Sequence, residues 1–84
     1  MKRYFITFRS VTFAQRGERV LRSSGVRCAI QRTPKWMEEQ GCGYSLGLYT
    51  EDIAGVIAQL RRARIPMKKV YLQKQEGQLE EVAV

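Results

Sequence analysis

Histidine is absent from this chain of 84 residues, which holds two cysteines, two prolines and one tryptophan. No apolar run approaches the roughly 18 residues that a membrane-spanning helix needs. Without histidine there is no Ser-His or Cys-His pair, no imidazole acid or base, and no His ligand for zinc. Cys28 and Cys42 are too few to close a structural zinc site, which takes four ligands from one chain. Their spacing also excludes a Cys-X-X-Cys redox pair. The residues therefore imply no metal and no cofactor. Met1-Lys2-Arg3 has the basic start of a signal peptide, but Arg9 ends the apolar stretch before an h-region can form. The reading is a cytoplasmic chain with no membrane partner.

What is present describes an ordinary globular domain: 44% apolar and 27% charged residues. The length allows one domain over residues 1–84, burying about 60% of its unfolded-state surface. The net charge of +7 is unevenly placed. Residues 1–35 carry nine Lys or Arg against the single Glu18, and residues 36–84 carry six against seven acids. Such a pattern is either the footprint of a polyanionic partner or a solvated basic helix face.

An internal repeat runs at an offset of forty residues. Tyr4, Ile6 and Phe8 fall on Tyr44, Leu46 and Leu48, Ser10 on Thr50, Phe13 on Ile53, Val20 on Leu60, and Ile30 on Val70. Each half reads as a period-2 run, a hydroxyl N-cap, a helical-period stretch, a turn and a second period-2 run. Ser10 is expected to cap a helix to about Ser24, burying Phe13, Ala14, Gly17, Val20 and Leu21, with Gly25 as its left-handed terminator. Thr50 is expected to cap a second helix with Glu51 and Asp52 in its first turn. Its stripe would be Ile53, Val56, Ile57 and Leu60, its last turn would carry Arg61, Arg62 and Arg64, and Pro66 would stop it.

Two such halves give βαββαβ, the ferredoxin-like α+β arrangement: a four-stranded antiparallel sheet with both helices on one face. The helix-facing set would be Tyr4, Ile6, Phe8, Cys28, Ile30, Tyr44, Leu46, Leu48, Val70 and Leu72. Phe5, Thr7, Ser45, Gly47, Tyr49 and Tyr71 would lie on the opposite face, whose small middle lets another element or chain come close. The core spans about residues 3–72, and residues 73–84 are either a tail or an edge hairpin turning at Glu76-Gly77.

Thr33 to Gly43, between the halves, is too long for a tight hairpin and reads as the functional segment. Thr33, Pro34 and Gly41 suit one short helical turn. Cys42, flanked by Gly41 and Gly43, has backbone freedom and little cover, and from residue type alone it reads equally as a functional thiol or as a small residue of a Gly-rich turn. In this topology Arg9, the free N–H groups after Ser10, and Arg62 or Arg64 share its end of the sheet, a field that favours the thiolate. The opposing field comes from the end of the Pro34 turn. Trp36 and Met37 serve either as a lid on the loop or as docking groups. Cys28, at an inward strand position, reads as a small core residue.

The opening Tyr-Phe-Ile-Thr-Phe with Ser10, the Gly25 stop, Thr33-Pro34-Lys35, Gly41-Cys42-Gly43-Tyr44-Ser45-Leu46 and Ile65-Pro66 together resemble the putative selenium/sulfur carrier protein-like family of small bacterial domains. The resemblance covers about residues 3–72 and implies a carrier, rather than an enzyme, working in sulfur relay or selenium metabolism. It places the carrying thiol at Cys42 and implies sulfur or selenium donor and acceptor proteins as partners. Family members often have a serine between the Pro and the Cys, and residues 36–40 here offer none. A carrier of this kind takes up sulfur or selenium as a persulfide or selenosulfide and passes it on, which one thiolate suffices to do.

Two other classes compete. One is a ferredoxin-like interaction module or homodimer without thiol chemistry. The other is a weak nonspecific nucleic-acid binder, which strand parity opposes: putting Tyr44 and Leu46 on the open face as stacking platforms would bury Ser45 and Gly47 instead.

Overall fold

Tyr4, Ile6 and Phe8 alternate with Phe5 and Thr7, and in the computed structural model, which describes residues 1–32, 43–74 and 78–82, this run becomes the strand β1 (Lys2–Phe8). It is followed by α1 (Val11–Ser23), β2 (Arg27–Arg32), β3 (Tyr44–Thr50), α2 (Ile53–Arg62), β4 (Val70–Gln73) and β5 (Leu79–Val82). The strands lie in the order β2-β3-β1-β4-β5, each antiparallel to its neighbours. Among the described residues the expected four strands are thus five. Residues 79–82 pair with β4 as an edge strand, Val70 opposite Val82 and Gln73 opposite Leu79. The hairpin outcome replaces the tail for that stretch, while Glu76-Gly77 and residues 83–84 lie outside the described residues.

Register carries the apolar rows across the sheet. Leu48 stands opposite Tyr4 and Cys28, and Leu46 opposite Ile6 and Ile30. Val70 faces Ile6, and Leu72 faces Tyr4. Because side chains alternate with period two, all of these project to one face. There they form one core with Ala14 and Leu21 of α1 and with Val56, Ile57 and Leu60 of α2. Ile6, Phe8, Leu21, Leu46, Leu48, Leu60 and Val70 are fully buried, and each such side chain contributes about 1.5–3 kcal/mol on leaving water.

The helix ends show where the repeat keeps its register and where it slips. Ser10 caps α1 as expected, its Oγ accepting from the Phe13 N–H at 3.3 Å. In the second half the cap is Asp52, not Thr50: Asp52 Oδ1 accepts from the Gly55 N–H at 3.0 Å. Thr50 Oγ1 instead accepts from the Asp52 N–H and closes a turn one step earlier. The carboxylate reaches the helix N–H groups as well as a hydroxyl does, so the helix starts two residues late and Glu51 falls outside it. Both helices end in the same hydrogen-bond pattern: Gly25 N–H donates to Arg22 O and Val26 N–H to Leu21 O, while Arg64 N–H donates to Arg61 O and Ile65 N–H to Leu60 O. This is the Schellman motif, whose terminating residue is left-handed. Gly25 takes that position at φ 88°, and in the second half Arg64 does so at φ 58°. Arg64 therefore stands beyond the last turn, and the helix stops before Pro66 is reached.

The second face of the sheet is less open than its composition suggests. Phe5, Thr7 and Ser45 are buried there and Tyr49 is exposed.

Candidate functional site

Three strand ends meet where residues 33–42 leave and rejoin the sheet. Phe8, the last residue of β1, stands opposite Tyr44, the first of β3, and Tyr44 stands opposite Arg32, the last of β2. Gly43 is buried at that junction. Arg9 and Ser10, following Phe8, lie at the same end. Ser10 has the extended backbone of an N-cap, and no acidic residue occupies the first turn of α1. The positive end of this helix therefore has no carboxylate of its own to offset it.

The return from α2 is fixed to the same end by Thr7. Its N–H donates to Lys69 O and its carbonyl accepts from the Lys68 N–H, each at 2.8 Å. Its hydroxyl accepts from the Lys69 N–H at 3.0 Å and donates to Lys69 O at 3.3 Å. This explains why Thr7 is buried yet polar: every group it carries is satisfied. Arg9, Arg62 and Arg64 are exposed, and no ion pair joins them to other described residues. Register thus brings Gly43, Arg9 and Ser10 together, whereas Arg62 and Arg64 share only the end of the fold. Trp36, Met37, Gly41, Cys42 and the turn expected from Pro34 lie outside the described residues.

The other cysteine is part of the core. Cys28 packs with Tyr4, Leu48 and Leu21, and its Sγ donates to the Glu18 carbonyl at 3.8 Å. Burial pushes its thiol pKa up, the Glu18 carboxylate adds to the rise, and Arg22 offsets part of it. A thiol so held stays protonated and is a poor nucleophile.

One group of residues escaped the sequence reading. Arg3 projects from the face of the sheet away from the helices, its guanidinium 4.9 Å from the centre of the Phe5 ring and 5.5 Å from that of Tyr49. The signal was available in strand parity, since Arg3 and Phe5 are two apart on β1, but pairing with Tyr49 needed the β1–β3 register.

No helix among the described residues is long and apolar enough to cross a membrane. No curated protein and no solved structure matches the chain. A family model does match, over residues 3–72, and the chain belongs to that family, described as putative Se/S carrier protein-like.

Proposed function

We propose that the protein carries sulfur or selenium on Cys42 and passes it between a donor and an acceptor protein. The observation that supports this most is the family match over residues 3–72, whose span includes the Gly-Cys-Gly segment. The chemistry asks little of the chain. The Cys42 thiolate attacks the terminal sulfur of a donor persulfide, a new S–S bond forms, and the donor leaves as its thiolate. An acceptor nucleophile then takes the terminal sulfur and returns Cys42 to the thiolate. Neither step needs a general base once the thiol is ionised, which suits a chain without histidine.

We assign the uncompensated start of α1, Arg9, Arg62 and Arg64 the role of favouring that ionised form; what supports this is that they lie at the end of the fold where the chain enters and leaves residues 33–42. By residue type Gly41 and Gly43 add no side-chain bulk next to Cys42 in the sequence, and we assign Trp36 and Met37 the role of cover or docking group. We read the scaffold as ferredoxin-like over residues 3–72: the order β2-β3-β1-β4, with a helix between β1 and β2 and another between β3 and β4, supports this, and β5 extends the edge.

Intact mass after incubation with a cysteine desulfurase and cysteine tests the reading. Wild type and Cys28→Ala are expected to gain one sulfur and Cys42→Ala none. Equal gain by Cys42→Ala, or no gain by wild type, overturns it.

A further inference from the structure

A cleft of about 620 Å³ opens where the face of the sheet away from the helices meets the outer edge of β2. Three arginines, Arg3, Arg22 and Arg27, line it together with Tyr49, and among the described residues no carboxylate does. Arg3, Tyr49 and Arg27 stand side by side on β1, β3 and β2, because Tyr49 is opposite both arginines in register. The next row is Phe5, Gly47 and Ala29. Its two small residues form the floor: a Cβ at Gly47 would meet Phe5 Cε1 at 3.4 Å and Arg3 Nη2 at 3.6 Å.

The arginines differ in how far their charge is used. Arg22 is occupied, donating through Nε and Nη2 to Cys28 O and pairing with Glu18 at 3.4 Å. Arg3 and Arg27 make no ion pair among the described residues. The Arg3 guanidinium lies over the Phe5 and Tyr49 rings, and its Nε–H is buried without an acceptor among the described residues. A buried donor left unpaired is costly, and the fork of a guanidinium is shaped for two oxygens of one oxyanion. Two unneutralised guanidinium groups match the charge of a phosphate, which is close to dianionic at neutral pH. The volume lies within the range of small-ligand sites, and the exposed Tyr49 ring beside Arg3 offers a surface for a flat group.

We infer that this cleft binds a phosphate-bearing small molecule, its phosphate held by Arg3 and Arg27 and its ring against Tyr49. The site does not rest on Cys42. The row of Arg3, Tyr49 and Arg27 lies five register rows from the strand ends that flank residues 33–42, about 17 Å along the sheet, and the cleft runs from it along β2 as far as Gln31.

Calorimetric titration of the full chain at low salt with inorganic phosphate and with adenosine monophosphate tests this. Both are expected to bind, the nucleotide more tightly because of Tyr49, and Tyr49→Ala to remove the difference. Arg27→Gln and Arg3→Lys each lose about tenfold in affinity, the worth of a charge-assisted hydrogen bond. Arg3→Lys keeps the charge and tests the fork, and Arg27 is exposed, so its replacement leaves the fold intact. Arg19→Gln, an equal loss of charge on α1, leaves affinity unchanged. An Arg19→Gln loss equal to that of Arg27→Gln would show diffuse attraction to a basic protein and overturn the proposal. So would the absence of binding by both probes.

Discussion

Arg22 reaches from the last turn of α1 over the outer edge of β2 and donates through both Nε and Nη2 to the carbonyl oxygen of Cys28, at 3.3 and 3.1 Å. Among the described residues β2 is an edge strand, bonded only to β3. An unpaired edge is a template for another chain, and a guanidinium seated on one of its carbonyls blocks that pairing locally. Replacing Arg22 with Ala removes the cover and the hydrogen bonds. We expect a stability loss of about 1 kcal/mol in urea unfolding, since the side chain is largely exposed, together with increased self-association by size exclusion.

Thr7 ties β1 to the approach of β4 through its hydroxyl as well as its backbone. Thr7→Val keeps the shape and deletes both side-chain hydrogen bonds between Thr7 and Lys69. The expected cost is about 1–3 kcal/mol, with Thr7→Ser retaining most of the stability. Equal urea midpoints for Thr7→Val and wild type would refute this role.

Gly25 and Arg64 occupy the same place in two Schellman motifs with opposite expectations for substitution. A Cβ at Gly25 meets nothing within 4 Å, so Gly25→Ala carries only the backbone strain of φ 88°. That strain costs about 1–2 kcal/mol. Arg64→Gly relieves the same strain at φ 58° and is expected to stabilise, by up to about 1 kcal/mol after the entropy of glycine is counted. Thermal unfolding of the two variants should shift in opposite directions. Slower sulfur loading by Arg64→Gly, despite its higher stability, would assign Arg64 an electrostatic role at Cys42.

Cys28 links stability to alkaline pH. Its folded pKa is raised by burial, so the folded state holds a proton that the unfolded chain releases from about pH 8.5 upward. The stabilisation is complete below that value and declines as pH rises towards the folded pKa. Between pH 7 and 10, wild type should lose more stability than Cys28→Ala; parallel curves would refute the linkage.

The two thiols should also differ in reactivity. Alkylation by iodoacetamide as a function of pH is expected to modify Cys42 quickly with a midpoint below about 8.5, and to leave Cys28 unmodified until the chain unfolds. Equal, slow alkylation of both cysteines would count against the carrier reading.

Local periodicity determined much of this protein. The alternation at Tyr4, Ile6 and Phe8 and at Tyr44, Leu46 and Leu48, the stripes of both helices, the Ser10 cap and the Gly25 stop are all written over fewer than about twenty consecutive residues, and the backbone reads such patterns without help from distant parts of the chain. Tertiary structure decided the rest. Thr50 and Asp52 are both competent caps, and only the path of the chain leaving β3 gives the role to Asp52. Leu79 to Val82 is too short to stand alone and becomes a strand because β4 offers it an edge. Thr7 is polar in sequence and buried in fact, because its partner is Lys69, sixty-two residues away. Arg3, Tyr49 and Arg27 come together through pairings between distant segments, which no window along the chain contains.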